Sequence, residues 1–489
     1  MKKLTKRNEN YSKWYNEIIF KANIADKSDV RGCMVIKPYG FSIWEKIKFI
    51  LDKILKSTGH KNVYFPLLIP KSYFSKEYNH IKGFAKECAV ITHYRLKNFN
   101  NKNIIVDKNS KLEDELIVRP TSETIIWNSY KRWINSYRDL PIRFNQWANI
   151  IRWERRTRFF LRTSEFLWQE GHTAHSTKKE AINQAKKIIN IYTNFLENFI
   201  AIPVIQGIKT YSEKFAGAEE TYCIESIMQD GKSLQIATSH FLGQNFSKAF
   251  DVRYTTEKGN KEYVWATSWG ISTRLIGAII MTHSDDNGLI LPPKIAPIQI
   301  VIIPVYKTQE QLNLIEKLVL PLKESLEKRG ISIKYDKRTY YTPGWKFNEY
   351  EIKGIPIRIT IGKKDIDRGT VEVVRRDTLE KKYIIINKLE FLIPKILSKI
   401  QDNIFKTALK RKKNFLIEVD SYEEFKEKIK KNSGFIFAHW DGTSETEKKI
   451  KFETNATIRC IPINFNPNIG QCILTKKKST QRVIFAKSY

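Results

Sequence analysis

From 145 to 175 the chain alternates aromatic, apolar and charged residues at the two-residue period of a strand, a pattern that leaves few folds open to it. Arg152 and Glu154 fall on one face with Ile150 and Ala148 behind them, so a charged pair continues an apolar ribbon. After a polar turn at 155–158, a second run puts Arg162, Phe166, Trp168, Glu170 and His172 on a common face by the same alternation. This predicts an antiparallel pair joined by a basic loop, with two arginines and two carboxylates pointing the same way. Such a wall suits a ligand that carries both phosphate and ammonium charge. A merely solvated hairpin would not interleave Trp and Phe with Arg and Glu this densely.

Three other stretches add chemistry. R-P-T-S-E-T at 119–124 follows the apolar Leu116, Ile117 and Val118, so it leaves the end of a strand, where loops carry function. Thr121 and Glu123 would sit at the mouth of a pocket, although Glu123 could equally cap a helix beginning at Glu123 or Thr124. Gln235, Thr238 and His240 lie just past a turn at Gly231; they could line the same pocket, or His240 could be a hydrogen-bonded core histidine. W-G-I-S-T-R-L-I-G-A runs from a glycine turn into a helix, with Ser272 or Thr273 as N-cap and Arg274 in the first turn. Free N–H groups and the positive dipole end favour phosphate there, and Arg274 adds a full charge. Neither a P-loop nor G-x-G-x-x-G accompanies it, which argues against a Rossmann or P-loop nucleotide site. His172 and His175 should face opposite ways on a strand and have no third ligand nearby, so they predict no zinc site.

R-W-E followed by F-L-R-T-S-E-F-L-W-Q-E-G-H resembles motif 2 of the class II aminoacyl-tRNA synthetases, and in detail that of prolyl-tRNA synthetases of the archaeal and eukaryotic type. R-P-T-S-E-T, A-T-S-H-F-L-G-Q-N-F at 237–246 and W-G-I-S-T-R at 269–274 resemble three further signatures of that family, in its order, and the resemblance covers nearly the whole chain. It implies activation of L-proline with ATP and Mg2+, and transfer to the tRNA for proline. Arg152 and Arg274 would be the catalytic pair. Thr121 and Glu123 would hold the proline ammonium, whose two N–H donors one hydroxyl and one carboxylate satisfy. Arg152, Phe166, Trp168, His172 and His240 would complete the proline site. ATP would meet Arg152, Glu154, Arg162, Thr163, Gln235, Thr238, Ser272 and Arg274, with Gln235 also serving Mg2+.

A helical stripe over 41–57 (Ile43, Ile47, Ile50, Leu51, Ile54, Leu55) closes at Gly59, and a strand is expected at 63–69, ending at Pro70. Periodicity alone supports a helix docked on a sheet; the resemblance makes it motif 1, hence a homodimer interface. The 84–93 stretch has a family counterpart too, with Glu87 and His93 expected to be structural. Tyr11, Trp14, Tyr15, Ile18 and Ile19 predict a packed leading helix. Between His175 and Ala216 there is room for a helix at 178–199 and a strand at 203–209 and no editing domain, in contrast to the bacterial type.

At 489 residues two to four domains are expected. After Leu291-Pro292-Pro293 the pattern changes to strand 298–304, helix 309–329 with Pro321 inside it, strand 331–335, helix 344–353, strands 355–361 and 371–375, and a helix from 388. The fold class is therefore α/β (α+β): a class II antiparallel-sheet catalytic domain at 1–294, an α/β anticodon-binding domain at 295–401 and a small α+β C-terminal domain at 402–489. In the second, Trp345, Lys346, Phe347, Glu351, Arg358 and Lys364 combine the groups that unstacked RNA bases require, or form an ordinary amphipathic surface. The third departs from the four-cysteine zinc pattern that the resemblance implies. Asp441 and Thr446 replace two cysteines, Cys472 is kept, Thr475 stands at the last position, and Cys460 lies outside the pattern, so no zinc is expected. The ending V-I-F-A-K-S-Y is kept, and the resemblance implies that Tyr489 reaches towards the active site.

Lys and Arg total 85 against 52 Asp and Glu, a net charge of +33 that points to nucleic acid or to a compositional drift spread along the chain. Five scattered cysteines indicate no disulfide framework. No leader or membrane span is legible, so a cytoplasmic protein is expected. A threonyl enzyme would need zinc ligands that are missing, and a non-catalytic synthetase-like protein would be expected to lack an ATP-contacting arginine.

Overall fold

The computed structural model describes residues 4–78, 87–100, 103–431, 434–463, 465 and 468–489. Of the 84–93 stretch, 84–86 lie outside these residues; Glu87 serves the fold through its carbonyl, which accepts from the Trp153 N–H at 3.2 Å, and His93 pairs with Thr92 at 2.9 Å.

An eleven-stranded sheet organises the chain. Ile205–Ile208, Glu220–Ile227, Ser233–Gly243, Trp265–Ser272, Glu165–His175 and Ile142–Ile151 run side by side, antiparallel throughout. The helix Lys178–Asn198 covers this sheet with Ala181, Ala185, Ile188, Ile189, Tyr192, Phe195 and Leu196, spaced three and four apart on one buried stripe, and a Thr177 capping box starts it. The helix Pro38–Ser57 buries Ile43, Ile47, Leu51 and Leu55 as the stripe predicts, each worth roughly 1.5–3 kcal/mol of apolar burial. Gly59, at φ +87°, follows it. The leading helix Tyr11–Lys21 packs Trp14, Tyr15, Ile18 and Ile19 into the same core. Among the described residues no helix is long and apolar enough to cross a membrane.

The hairpin from 142 to 175 forms, but its pairing ends at Ile151↔Glu165. At its end the Ile151 N–H points outward to Arg119 O at 3.0 Å, and one further bond, Arg152 N–H to Ser164 O at 2.8 Å, keeps the hairpin register before the loop begins. Arg152, just past the strand, keeps its expected side over Phe166 and Trp168, whereas Glu154 and Arg162 stand in the 152–164 loop and not on strand faces, which corrects the alternation expected for those two. The strand expected at 63–69 is likewise two short ones, Lys61–Asn62 and Leu68–Pro70, in different sheets.

The second unit is a five-stranded sheet, with Ile333–Tyr335, Ile300–Val305 and Ile357–Gly362 parallel and Thr370–Arg375 and Lys381–Ile385 antiparallel. Lys381–Ile385 is an edge strand, mostly exposed, that the sequence reading did not name. Pro321 sits inside Gln309–Lys328 on the exposed side of that helix. The last helix of this unit, Leu389–Asn414, runs through the expected boundary at 401.

Four strands of the C-terminal region, Leu416–Glu418, Phe435–His439, Arg482–Ala486 and Thr457–Pro462, extend the main sheet. The seam pairs Gly207 with Pro462 and Ile208 with Ile461. A Cβ at Gly207 would lie 2.4 Å from Cys460 Sγ, so the close approach requires glycine. At the positions where the resemblance implies zinc ligands, the Asp441 carboxylate accepts from the Thr446 hydroxyl at 2.8 Å, Thr475 at 2.9 Å and Thr443 at 2.9 Å. One carboxylate already satisfied by three hydroxyls, beside a single buried Cys472, does not fit zinc. Among the described residues no group of three His, Cys, Asp or Glu could hold a metal ion.

Candidate active site

A cavity of about 280 Å³ opens on the face of the main sheet. Glu165–His175 contributes Phe166, Trp168, Glu170 and His172 at alternate positions, and Ser233–Gly243 contributes Gln235, Thr238 and His240. Gln235 and Thr238 are three apart, which on a regular strand would put them on opposite faces. The register against the neighbouring strand passes from Glu225↔Gln235 to Ile224↔Ala237, so Ile236 is a bulged residue that brings both to the pocket.

One end of the cavity is acidic and tightly bonded. Thr121 donates to Glu123. Glu170, fully buried, accepts from Ser122, from Gln146 Nε2 at 2.7 Å and from His172 Nε2 at 3.1 Å. Burial opposes the charged imidazolium, yet the bond to Glu170 and the field of Glu123 outweigh it and hold His172 above its ordinary pKa. Burial also opposes the Glu170 carboxylate, and the bonds to His172, Ser122 and Gln146 reverse that. The pair is ionic. His172 Nδ1 and Ser268 Oγ are buried in this wall without a hydrogen-bond partner among the described residues. His240 behaves oppositely: burial, followed by the charges of His172 and Arg152, lowers it to about 3, so it is neutral. It bonds Thr221 Oγ1 through Nδ1 at 3.0 Å and stacks on Phe215 at 4.5 Å.

The other end is cationic. Arg152 is anchored by Nε to Pro120 O at 3.0 Å and lies over Phe166 and Trp168 at 5.8 and 5.5 Å. Its side chain is open to solvent in the pocket, but protein atoms crowd it on the other sides, and this lowers its pKa against the fields of Glu123 and Glu170. Arg274 begins the helix Arg274–His283, its backbone N–H bonds Ser272 Oγ at 3.2 Å, and its Nη1 donates to Gln235 O at 3.1 Å. Burial, then the neighbouring charges of Arg152 and Arg162, lower it to about 10. Three arginines within one another's fields, at a helix N-terminus, form a site that gains by receiving an anion.

Of the residues expected here, Thr121, Glu123, Arg152, Phe166, Trp168, His172, Gln235, Thr238, His240, Ser272 and Arg274 line the cavity. Glu154, Arg162 and Thr163 do not. Glu154 caps its own loop by accepting the Arg156 N–H at 2.8 Å, Thr163 is buried, and Arg162 donates to the Tyr489 carbonyl at 3.0 Å. Tyr489 thus reaches the 152–164 loop, with Arg158 over its ring at 5.3 Å. Missed were Lys209, Glu213 and Phe215 on the wall; a lysine closing the apolar strand before T-Y-S-E-K-F was the available signal.

In the second unit Phe347, Glu351 and Arg358 share a small cavity of about 40 Å³, with Arg358 over the Phe347 ring at 3.9 Å. Lys346 does not join them: it is buried, donating to Asp336 O at 3.1 Å, and so acts within the fold. Lys364 lies on the short helix Lys363–Asp367, away from that cavity. Trp345 stacks on Tyr341 at 3.6 Å, beneath Arg338.

Residues 102–283 match the family model of the tRNA synthetase class II core domain (G, H, P, S and T), residues 299–396 that of the anticodon binding domain, and residues 422–489 that of the prolyl-tRNA synthetase C-terminal region. The chain is 60% identical over 489 residues to the proline–tRNA ligase of Cytophaga hutchinsonii, covering all of both chains. It is 58% identical to that of Porphyromonas gingivalis, covering all of this chain and 99% of the other. The crystal structure of prolyl-tRNA synthetase from Cryptosporidium parvum complexed with L-proline and AMP superposes with a TM-score of 0.90 at 38% identity, over 100% of this chain and 97% of that one. A second structure of that protein, with halofuginone and AMPPNP, gives 0.91. With its acidic and cationic pocket ends and full-length identity of this order, the chain belongs to the proline–tRNA ligase family of class II aminoacyl-tRNA synthetases.

Proposed function

We propose that this chain joins L-proline to ATP, releasing diphosphate, and passes the prolyl group to the tRNA for proline, releasing AMP. The observation that carries this is the polarity of one cavity: Glu123 and the Glu170–His172 pair at one end, Arg152 and Arg274 at the other, with the charge of Arg162 acting on Arg274 from outside the lining. The proline ammonium meets Thr121 and Glu123, and its ring lies among Phe166, Trp168, His172 and His240. Its carboxylate oxygen attacks the α-phosphorus in line and the bond to diphosphate breaks; a ribose hydroxyl of the tRNA then attacks the carbonyl and AMP leaves. No side chain is the nucleophile, so catalysis is positioning and charge stabilisation. Arg152 spans the carboxylate and α-phosphate, and Arg274 holds the distal phosphates. Glu154, Arg162 and Thr163 take part when the loop meets ATP. Mg2+, when bound, would neutralise phosphate charge, and Gln235, which lines the cavity, would be the residue to hold it.

Divided into 1–294, 295–401 and 402–489, the chain also reads the anticodon, through Phe347, Glu351 and Arg358, while Lys346 supports that site from within and Lys364 lies outside it. The charge of +33 favours tRNA. A homodimer is supported by the helix Pro38–Ser57, where Phe41 and Phe49 are 41% and 70% exposed beside Tyr64 at 72%. The archaeal and eukaryotic type, without an editing insertion, is supported by the stretch from 176 to 215, which holds a helix and a strand and no further unit. The enzyme works in the cytoplasm, where translation uses its product. Pyrophosphate exchange with each of the twenty amino acids tests the reading: proline alone should support rapid exchange, and equal exchange with threonine would overturn it.

A further inference from the structure

We infer that the C-terminal region sets the proline affinity of the pocket, by clamping the 209–215 segment that forms one of its walls, with Glu447 as the positioning residue. Lys209, Glu213 and Phe215 line the cavity. The segment leaves the sheet after Ile208 and turns on itself, and its tip, Tyr211, is 80% exposed. Its two ends bond the catalytic sheet, the Lys209 N–H to Thr221 O at 2.9 Å and the Phe215 N–H to Thr221 Oγ1 at 3.0 Å, and what holds the turn between them comes from the helix Ser444–Thr454 and the strand Thr457–Pro462. Glu447, buried, accepts from Thr210 Oγ1 at 3.1 Å and Ser212 Oγ at 2.5 Å. Lys451 faces Glu213 at 3.4 Å. Arg459 O accepts from Lys209 Nζ at 2.7 Å, and the same Nζ donates to Glu225 at 2.8 Å. Thr210, Lys209, Glu225 and Glu447 are all buried, so water competes little for these bonds.

The far end of the clamped segment delivers Phe215 onto His240 at 4.5 Å, on the side of the cavity that also holds His172. If the clamp is cut, the segment populates its closed form for only part of the time, and apparent affinity for the ligand resting on that wall falls by the same fraction. Groups that bear on the phosphates, Arg152 and Arg274, are anchored elsewhere, on Pro120 O and Gln235 O. The effect should therefore fall on proline and not on ATP.

The inference rests on proline occupying the Thr121–His240 side. Proline-dependent exchange by the unaltered full-length enzyme tests that assignment separately. Glu447→Ala and Ser212→Ala, the second a surface change that spares the helix, are titrated with proline and with ATP in pyrophosphate exchange, and melted in parallel. Glu447→Ala should raise the proline KM about tenfold with the ATP KM within twofold, Ser212→Ala should give part of that rise, and the double variant should add nothing to Glu447→Ala. A lowered Tm with both KM values unchanged would reduce the clamp to a structural contact, and equal rises in both KM values would remove its specificity for proline; either overturns the inference.

Discussion

Glu225→Gln tests the most heavily charged contact between the catalytic sheet and the C-terminal strands. The Glu225 carboxylate is fully buried and accepts from Lys209 Nζ at 2.8 Å, Ser233 Oγ at 2.7 Å and Arg459 at 3.1 and 3.2 Å. Burial alone would raise its pKa, but Arg459 and Lys209 outweigh that and bring it from 4.5 down to about 2. At roughly 1.36 kcal/mol per pKa unit this corresponds to about 3 kcal/mol of stability, and breaking a buried ion pair gives a similar figure, about 3–5 kcal/mol. A carboxyl whose folded pKa is depressed contributes fully above its unfolded value and loses that contribution as pH falls towards the folded one. The gap between wild type and Glu225→Gln should thus be about 3 kcal/mol at pH 7 and about 2 kcal/mol at pH 3.5, and should close near pH 2. Urea unfolding of both proteins at pH 7, 5.5 and 3.5 measures it. A gap under about 1 kcal/mol at pH 7, or one that is the same at pH 3.5 as at pH 7, would refute a depressed carboxylate at this seam.

Arg152→Ala should abolish proline-dependent exchange while tRNA binding persists, a loss of on the order of 3 kcal/mol or more in transition-state stabilisation; a fall of less than about tenfold would contradict its role. The purified protein should hold no stoichiometric zinc and keep its Tm in chelator, because Thr446 and Thr475 both donate to the Asp441 carboxylate where thiolates would be needed; one zinc per chain by elemental analysis would refute this. Alanine is smaller than proline, and the lost apolar contact is worth only about 1–3 kcal/mol, so alanyl-tRNA should form and the enzyme should not hydrolyse it. Deacylation of preformed alanyl-tRNA well above the buffer rate would reveal an editing site.

Much of the molecule could be read from local pattern, because amphipathic helices and buried strands carry their period in the residues that form them. The helix Pro38–Ser57, the helix Lys178–Asn198 and the hairpin face Phe166, Trp168, Glu170 and His172 are of this kind. Lys346 reads as an RNA contact by composition, and burial against Asp336 decides otherwise, since a side chain's destination depends on elements distant in sequence.

What the amino-acid sequence by itself determined was the set of elements, the residue types of the pocket and their assignment to one enzyme family by motif. Tertiary structure alone decided three things. The bulge at Ile236 turns Gln235 and Thr238 to the same side. The Ile151 N–H turns outward to Arg119 O while the Arg152 N–H still meets Ser164 O, so the hairpin ladder ends with Arg152 held over Phe166 and Trp168. And the C-terminal strands join the catalytic sheet at Gly207, so that Glu447 and Arg459 reach the wall of a pocket more than two hundred residues away in the chain. Each depends on hydrogen-bond partners far apart in sequence, and a backbone group's partner cannot be read from the residues on either side of it.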